Sequence, residues 1–206
     1  MHVASMTEPH TARLLTAVVL AAGEGRRYIA RSGRYKLLEP LEDGRPLIRA
    51  VCDTALAIAN DVVVVHHWHS ARLAAALSGL PVRLVGCENA ARGMGASLKC
   101  GVQETRAESD ILVMLADMPF VHIDTVKAIR DALCSGAATA RPFHEGRPGH
   151  PVGFSASLRE SLLSLDDTQG AAPLLRSRQA GLRSIDVADP GCIRDVDVPG
   201  DLGCPP

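Results

Sequence analysis

The chain has 206 residues, a length that favours a single domain, and 47% of them are hydrophobic. This composition excludes a disordered polypeptide, because these residues suffice to form a sizeable core. Aromatic residues amount to 3% and the formal net charge is −1. We therefore expect no nucleic-acid partner and no membrane partner, since base stacking needs aromatic side chains and polyanionic surfaces attract positive charge.

Neither the N-terminus nor the cysteines indicate export. Residues 1–10 are polar, and no apolar run approaches the roughly 20 residues that cross a bilayer, so we expect a cytoplasmic protein. The six cysteines include no C-x-x-C pair, and we expect reduced thiols because disulfide frameworks belong to short secreted chains. His66, His67 and His69 have no acidic or cysteine neighbour in the sequence, which favours a loop at a strand end over a metal site.

Strand and helix patterns alternate along the chain. Short runs rich in valine and leucine predict buried strands, and apolar stripes at helical spacing predict helices. In chain order the predicted elements are strand 16–21, helix 47–58 after Pro46, strand 61–65, helix 70–77 with Ser70 as N-cap, strand 82–85, a loop and helix over 93–106, strand 111–115, helix 124–133, strands 137–141 and 151–154, helices 157–165 and 171–179, and strands 184–187 and 193–196. This order predicts the α/β class: a mostly parallel sheet between two helical layers in a Rossmann-like α/β/α sandwich. We expect one domain over residues 14–203, preceded by a disordered tail at 1–13.

A glycine-rich turn follows the first predicted strand. It reads VVLAAGEGRR over 18–27, and the segment closes with GRYK over 33–36. Backbone N–H groups in such a turn can bind phosphate oxygens, because glycine permits a positive φ and a close approach. Neither a P-loop nor a dinucleotide fingerprint is present in register. The alternative interpretation is a tight turn with solvated arginines.

Acidic residues follow two further predicted strands. Asp117 comes directly after strand 111–115, at the sheet edge where parallel α/β folds bind ligands. A carboxylate there suits Mg²⁺, which prefers one or two protein carboxylates together with phosphate oxygens. In the D-x-D pattern, Asp195 and Asp197 lie on the same face of an extended chain. A helix cap at Asp117 and a solvated acidic turn before Pro199 are the alternatives.

Taken together, these segments resemble the MobA/MocA-type nucleotidyltransferases, and most closely the molybdenum cofactor cytidylyltransferases. The resemblance rests on LAAGEGRR over 20–27, GRYK over 33–36, LADMP over 115–119, GRPGHPV over 146–152 and DVDVPGDL over 195–202. Residues 88–98, ENAARGMGASL, are similar to the base-side loop of the family, and residues 167–171, DTQGA, to its G-D-x-G-A turn. The similarity runs from about residue 16 to about residue 202 and implies a fold of the nucleotide-diphospho-sugar transferase type.

The resemblance implies an enzyme that uses Mg²⁺ to transfer CMP from CTP to the terminal phosphate of molybdopterin. Pyrophosphate would leave, and a molybdenum hydroxylase would receive the product. The implied catalytic residues are Lys36, Arg27 and Asp117. The implied nucleotide-binding residues are Leu20, Ala21, Ala22, Gly23, Gly25, Lys36, Asn89, Gly93 and Ser97. Gly149 and His150 would bind the acceptor, and Asp117 with Asp197 would bind the metal.

Several departures from the family pattern leave alternatives open. Gly25 and Tyr28 stand where the family usually has serine and methionine, and extra residues between Arg27 and Gly33 predict a longer phosphate loop. Ala22 in LAAG favours CTP, whereas members that use GTP tend to read LAGG. A nucleotidyltransferase acting with GTP or on another phosphorylated acceptor is one alternative. A carrier that holds the molybdenum cofactor without turnover is the other, although a carrier has no need of Asp117.

Overall fold

The protein is described by a computed structural model that covers residues 13–177 and 181–203. The predicted tail at 1–13 lies outside the described residues except for Arg13, and so does the end of the predicted helix 171–179. Within these ranges, none of the helices combines the length and the apolar character needed to cross a membrane.

One mostly parallel sheet forms the centre of the molecule. Its strands are β1 (Leu15–Ala21), β2 (Asp61–His66), β3 (Arg83–Gly86), β4 (Asp110–Leu115), β5 (Thr139–His144), β6 (Arg147–Pro148), β7 (Val152–Phe154) and β8 (Leu182–Asp186). The order across the sheet is β3-β2-β1-β4-β7-β5-β6, and β8 pairs with β5. Strand β1 lies parallel to both β2 and β4, whereas β7 runs antiparallel to β4 and β5.

Seven helices cover the two faces of this sheet within the described ranges. They are α1 (Arg26–Ser32), α2 (Leu47–Leu56), α3 (Ser70–Ala76), α4 (Met94–Gln103), α5 (Ile123–Cys134), α6 (Arg159–Leu163) and α7 (Ala172–Ser177). Because side chains alternate along a strand, Ala17 and Val19 of β1 pack into the cluster with α2 and α5, and Val18 packs on the α4 side. The predicted three-layer α/β/α fold is therefore confirmed.

Helix α4 lies unusually close to the sheet. A Cβ atom on Gly101 would come within 2.3 Å of Cγ1 of Val18 and 2.8 Å of Cγ2 of Val65, so only glycine fits there. This close approach brings the first turn of α4 beside the carboxyl ends of β1 and β4. The predicted helix within 93–106 is thus confirmed, and its position defines one wall of the site.

The structure corrects four expectations from the sequence. Residues 193–196 form no strand; a 3₁₀ helix over Pro190–Ile193 leads into an extended segment instead. His69, rather than Ser70, precedes α3 as its N-cap residue. The extra residues after Arg27 fold into α1 rather than lengthening a loop. Cys87 and Cys100 form a disulfide, whereas the sequence predicted reduced thiols; Cys52, Cys134 and Cys192 are free.

Candidate functional site

A cavity of about 300 Å³ opens at the carboxyl ends of β1 and β4. We call it the first cavity. Eight of the residues predicted to form the site line it: Leu20, Ala21, Ala22, Gly23, Lys36, Gly93, Ser97 and Asp117. Two predicted nucleotide-binding residues do not line it. Gly25 precedes α1 with φ of 67°, and Asn89 is an exposed residue of the 3₁₀ helix Glu88–Arg92.

Tyr35 supports the turn that leads into α1. Tyr35 is buried, and its hydroxyl donates to the carbonyl of Gly23 at 3.2 Å and lies 3.4 Å from that of Ala21. Burial, assisted by the charge of Asp117, raises the pKa of Tyr35 to about 12, so this hydroxyl stays protonated as a donor. Tyr28 is the buried residue of α1 itself, and its hydroxyl donates to Glu39 at 3.4 Å. Sequence reasoning missed the supporting role of Tyr35, although it stands within the quoted GRYK segment.

Three carboxylates meet beside the first cavity. Asp117, Asp195 and Asp197 each place one oxygen within 4.8 Å of the others. The N–H of Val196 donates to the carbonyl of Asp117 at 2.8 Å, which brings the D-x-D segment to the end of β4. The sequence predicted Asp117 and Asp197 as metal ligands and did not include Asp195. A set of carboxylate oxygens fits Mg²⁺ or Mn²⁺, which prefer hard oxygen donors.

Two cations neutralise this acidic cluster. Lys36 is only 8% exposed, and its ammonium donates to Asp117 at 2.8 Å, to the Val196 carbonyl at 2.9 Å and to Asp197 at 3.4 Å. Arg27 donates to the other oxygen of Asp197 at 2.7 Å. Burial alone would raise the pKa of Asp197, but the charges and hydrogen bonds of Lys36 and Arg27 outweigh it and lower that pKa. The sequence predicted Lys36 and Arg27 at the phosphates; in this structure both bind the carboxylates.

A second cavity, of about 140 Å³, adjoins the first. Leu20, Met94 and Leu115 line both cavities, and Arg141 and His150 supply the polar side chains of the second. The apolar residues that complete its wall include Leu98, Val113, Val152, Phe154 and Leu175. His150, which the sequence predicted at the acceptor, is therefore separated from the first cavity only by a shared apolar wall.

Gly149 does not line the second cavity but packs against Cys192, next to His150. A Cβ atom on Gly149 would come within 2.5 Å of the Cys192 carbonyl, so the close approach requires glycine. The carbonyl of Gly149 accepts from Nε of Arg141 at 2.9 Å, and the N–H of His150 donates to the Cys192 carbonyl at 2.7 Å. Sequence reasoning missed Arg141, because nothing in strand 137–141 marked it as different from a surface arginine.

The turn at 166–169 packs against the start of α4. A Cβ atom on Gly95 would come within 2.0 Å of the Asp166 carbonyl and 2.5 Å of that of Gln169. Asp167 forms ion pairs with Arg92 at 2.9 Å and with Lys99. The base-side segment and the DTQGA turn are thus in direct contact.

Comparisons with known proteins agree with this arrangement. A family model described as the MobA-like NTP transferase domain matches residues 17–182. The purine catabolism protein PucB of Bacillus subtilis is 30% identical over 90% of this chain and 92% of its own length. The bifunctional protein GlmU of Sorangium cellulosum is 34% identical over 71% of this chain, but the match covers only 32% of the length of GlmU.

Solved structures give the same result. Rv0371c from Mycobacterium tuberculosis superimposes with a TM-score of 0.78 at 27% identity, covering 93% of this chain and 96% of that one. A nucleotidyl transferase from Methanothermobacter thermautotroptrophicus gives 0.78 at 26% identity, covering 91% and 94%. The fold is that of the nucleotide-diphospho-sugar transferases. The match over most of the chain shows that it belongs to the MobA-like nucleotidyltransferase family.

Proposed function

We propose that this protein transfers CMP from CTP to the terminal phosphate of molybdopterin, with release of pyrophosphate. The observation that carries the proposal is the pair of adjoining cavities. The first presents the glycine turn, Lys36 and Asp117, and the second is a mostly apolar space with Arg141 and His150. A triphosphate in the first cavity and a ring system in the second would meet at the acidic cluster.

Nucleotidyl transfer requires that the two phosphate groups be positioned and that their negative charge be neutralised. The second pKa of a phosphate monoester is near 6, so at neutral pH the acceptor phosphate is already anionic and needs no general base. In-line transfer then depends on holding both phosphates in place and balancing their charge. In this proposal the backbone of Gly23, which lines the first cavity, binds the triphosphate, and Lys36 and Arg27, which contact the acidic cluster beside it, balance the charge.

The acidic cluster supplies the metal ligands in this proposal. Asp117, Asp195 and Asp197 would hold Mg²⁺, which when bound neutralises phosphate oxygens. A crystal structure of the similar protein Rv0371c is described as a complex with manganese. This supports a divalent ion as a cofactor of the present protein.

Ala22 supports CTP as the donor. Its side chain lines the first cavity, and the methyl group takes space that glycine would leave to a larger base. We therefore expect kcat/KM for CTP to exceed that for GTP.

The test is pyrophosphate release by the full chain with Mg²⁺, molybdopterin and either CTP or GTP. Asp117→Asn should reduce CMP transfer at least 100-fold, because a lost metal ligand removes several kcal/mol of transition-state stabilisation. Asp124→Asn, at an exposed residue of α5, is the matched control and should transfer at the wild-type rate. Transfer by Asp117→Asn within tenfold of wild type would contradict the metal assignment. Equal use of GTP would contradict a cytidylyltransferase, and tight retention of the cofactor without turnover would favour a carrier.

A further inference from the structure

Arg141 is a half-buried cation on β5 that has no carboxylate partner among the described residues. Its Nε–H donates to the Gly149 carbonyl, which leaves the two terminal nitrogens without an acceptor in the described part of the chain. Burial lowers the pKa of Arg141, yet a guanidinium remains charged. Because Arg141 lines the second cavity, these terminal N–H groups are available to hydrogen-bond a ligand that enters it.

His150 stands beside Arg141 on the wall of the second cavity. Its Nδ1 atom is enclosed and finds no hydrogen-bond partner in the described residues. Burial, and then the charge of Arg141, lowers the pKa of His150 to about 4 against the opposing charge of Asp117, so the ring is neutral at pH 7. With the ring proton on the other nitrogen, next to the Val113 carbonyl, Nδ1 is an acceptor.

These two side chains together select a particular polar edge. A charged donor beside a neutral acceptor matches a group that carries an oxygen acceptor and an N–H donor on adjacent atoms. A cyclic amide in a planar ring has this pattern, and the apolar walls formed by Leu98, Phe154 and Leu175 suit the faces of such a ring. An oxyanion matches less well, because the lone pair of Nδ1 would face a negatively charged oxygen.

We propose that Arg141 and His150 are specificity-determining residues that bind the cyclic-amide edge of a planar heteroaromatic acceptor. Arg141 donates to the carbonyl oxygen, and His150 accepts from the adjacent ring N–H. The inference rests on the proposed function, since it assigns the ring end of an acceptor whose phosphate reacts beside the first cavity. It adds Arg141, and the polar pattern of the ring, to that function.

The test is a fluorescence titration of the full chain with two related rings, in the absence of CTP and metal. Pterin carries the cyclic amide, whereas 2,4-diaminopteridine has an amino group in place of the oxygen and so reverses the donor and acceptor pattern. Wild-type protein should bind pterin at least tenfold more tightly. Arg141→Gln should bind pterin at least tenfold more weakly, because a hydrogen bond from a charged donor is stronger than one from a neutral donor.

Two further variants keep this test interpretable. Arg147→Gln removes an exposed arginine of β6 that lines neither cavity, and it should bind pterin like wild type. If Arg141→Gln does not fold, Arg141→Lys keeps the charge but lacks the planar fork, and it should also lose the preference for pterin. Each variant is checked by circular dichroism before titration.

The outcomes separate this inference from the proposed function. Equal affinity of wild type for the two rings, or a pterin preference that survives in folded Arg141→Gln, overturns the inference. If only pterin bearing a carboxylate binds, and Arg141→Gln abolishes that binding, the site takes an anion and the inference is also wrong. A selective pterin site in a protein that transfers no CMP would uphold the inference and contradict the proposed function.

Discussion

At the scale of single residues, Lys36 differs most from its predicted role as a cation that contacts phosphate directly. Its ammonium is held by Asp117 and the Val196 carbonyl rather than extending freely into the first cavity. A cation in this place balances the carboxylates before substrates arrive. In the proposed reaction it would also interact with the negative charge that grows on the leaving pyrophosphate. Such a group acts mainly on the transition state.

We therefore expect Lys36→Met to lower kcat roughly 100-fold while KM for CTP changes little, a loss typical of removing one preorganised charge donor. Steady-state kinetics at saturating acceptor measure both constants. Lys127→Met, at a partly exposed residue of α5 that lines neither cavity, is the control. An unchanged kcat would remove Lys36 from the catalytic set, and a rise in KM alone would make it a ground-state contact. Binding of Mn²⁺, followed by electron paramagnetic resonance, should tighten in Lys36→Met because the competing ammonium is gone.

The sequence predicted eight of the residues that line the first cavity. Those at the ends of β1 and β4 follow from the strand pattern, because parallel strands end at one edge of the sheet, whereas Gly93 and Ser97 follow from the family resemblance. The sequence did not predict Tyr35 as a support, Asp195 as a partner of Asp117, or Arg141 in the second cavity. Their positions depend on which loops fold back over the sheet edge. Local pattern carries no information on those distant contacts.

At the scale of elements, the disulfide joins the base-side segment to α4. Cys87 precedes the 3₁₀ helix Glu88–Arg92, and Cys100 lies on α4, whose residue Ser97 lines the first cavity. The two cysteines are 13 residues apart, so the bond closes a short loop. It limits how far the segment containing Ala90 can move from the cavity.

Replacing Cys87 and Cys100 with serine should lower the free energy of unfolding by about 2–3 kcal/mol, the usual contribution of a loop of this length. Urea unfolding under non-reducing conditions measures the loss, and KM for CTP should rise severalfold because the base-side wall is less restrained. Cys134→Ser, at an exposed free thiol, should leave both quantities unchanged. Equal stability of the double variant and wild type would contradict this prediction, as would peptide mapping that finds both thiols free in wild type.

Regular elements were predictable where hydrophobic periodicity was strong, as for β1, β2, β4 and α5. The segment 193–196 shows the limit of that signal. Its alternation of apolar and polar residues resembles that of a strand, but within the described structure it pairs with no strand of the sheet. The backbone N–H of Val196 instead donates to the carbonyl of Asp117. Helix α1 escaped prediction because it is short and buries little beyond Tyr28. In both places a tertiary contact, rather than the local pattern, decides the backbone conformation.

At the scale of the whole molecule, His150 links folding to pH. Its pKa is about 4 in the folded protein, first through burial and then through Arg141, whereas an exposed histidine has a value near 6.5. Between these values the unfolded chain binds a proton that the folded protein does not. The free energy of unfolding should therefore fall as pH is lowered from about 6.5 towards about 4, by up to about 3 kcal/mol.

Urea unfolding of wild type and His150→Gln at pH 7, 6 and 5 tests this prediction. The difference between the two proteins isolates His150 from the carboxylates, which titrate in both. We expect the advantage of wild type over His150→Gln at pH 7 to shrink at each lower pH. A difference that stays constant across this range would show that His150 is not held neutral in the fold.

The two cavities are not independent compartments. They share a wall formed by Leu20, Met94 and Leu115. The turn at 166–169 also packs closely against the start of α4 at Gly95. An occupant on either side restricts the shared side chains and lowers the entropy still to be lost when the other side fills. Nucleotide and acceptor should therefore bind with positive cooperativity, and thermodynamic linkage requires each to tighten the other by the same factor.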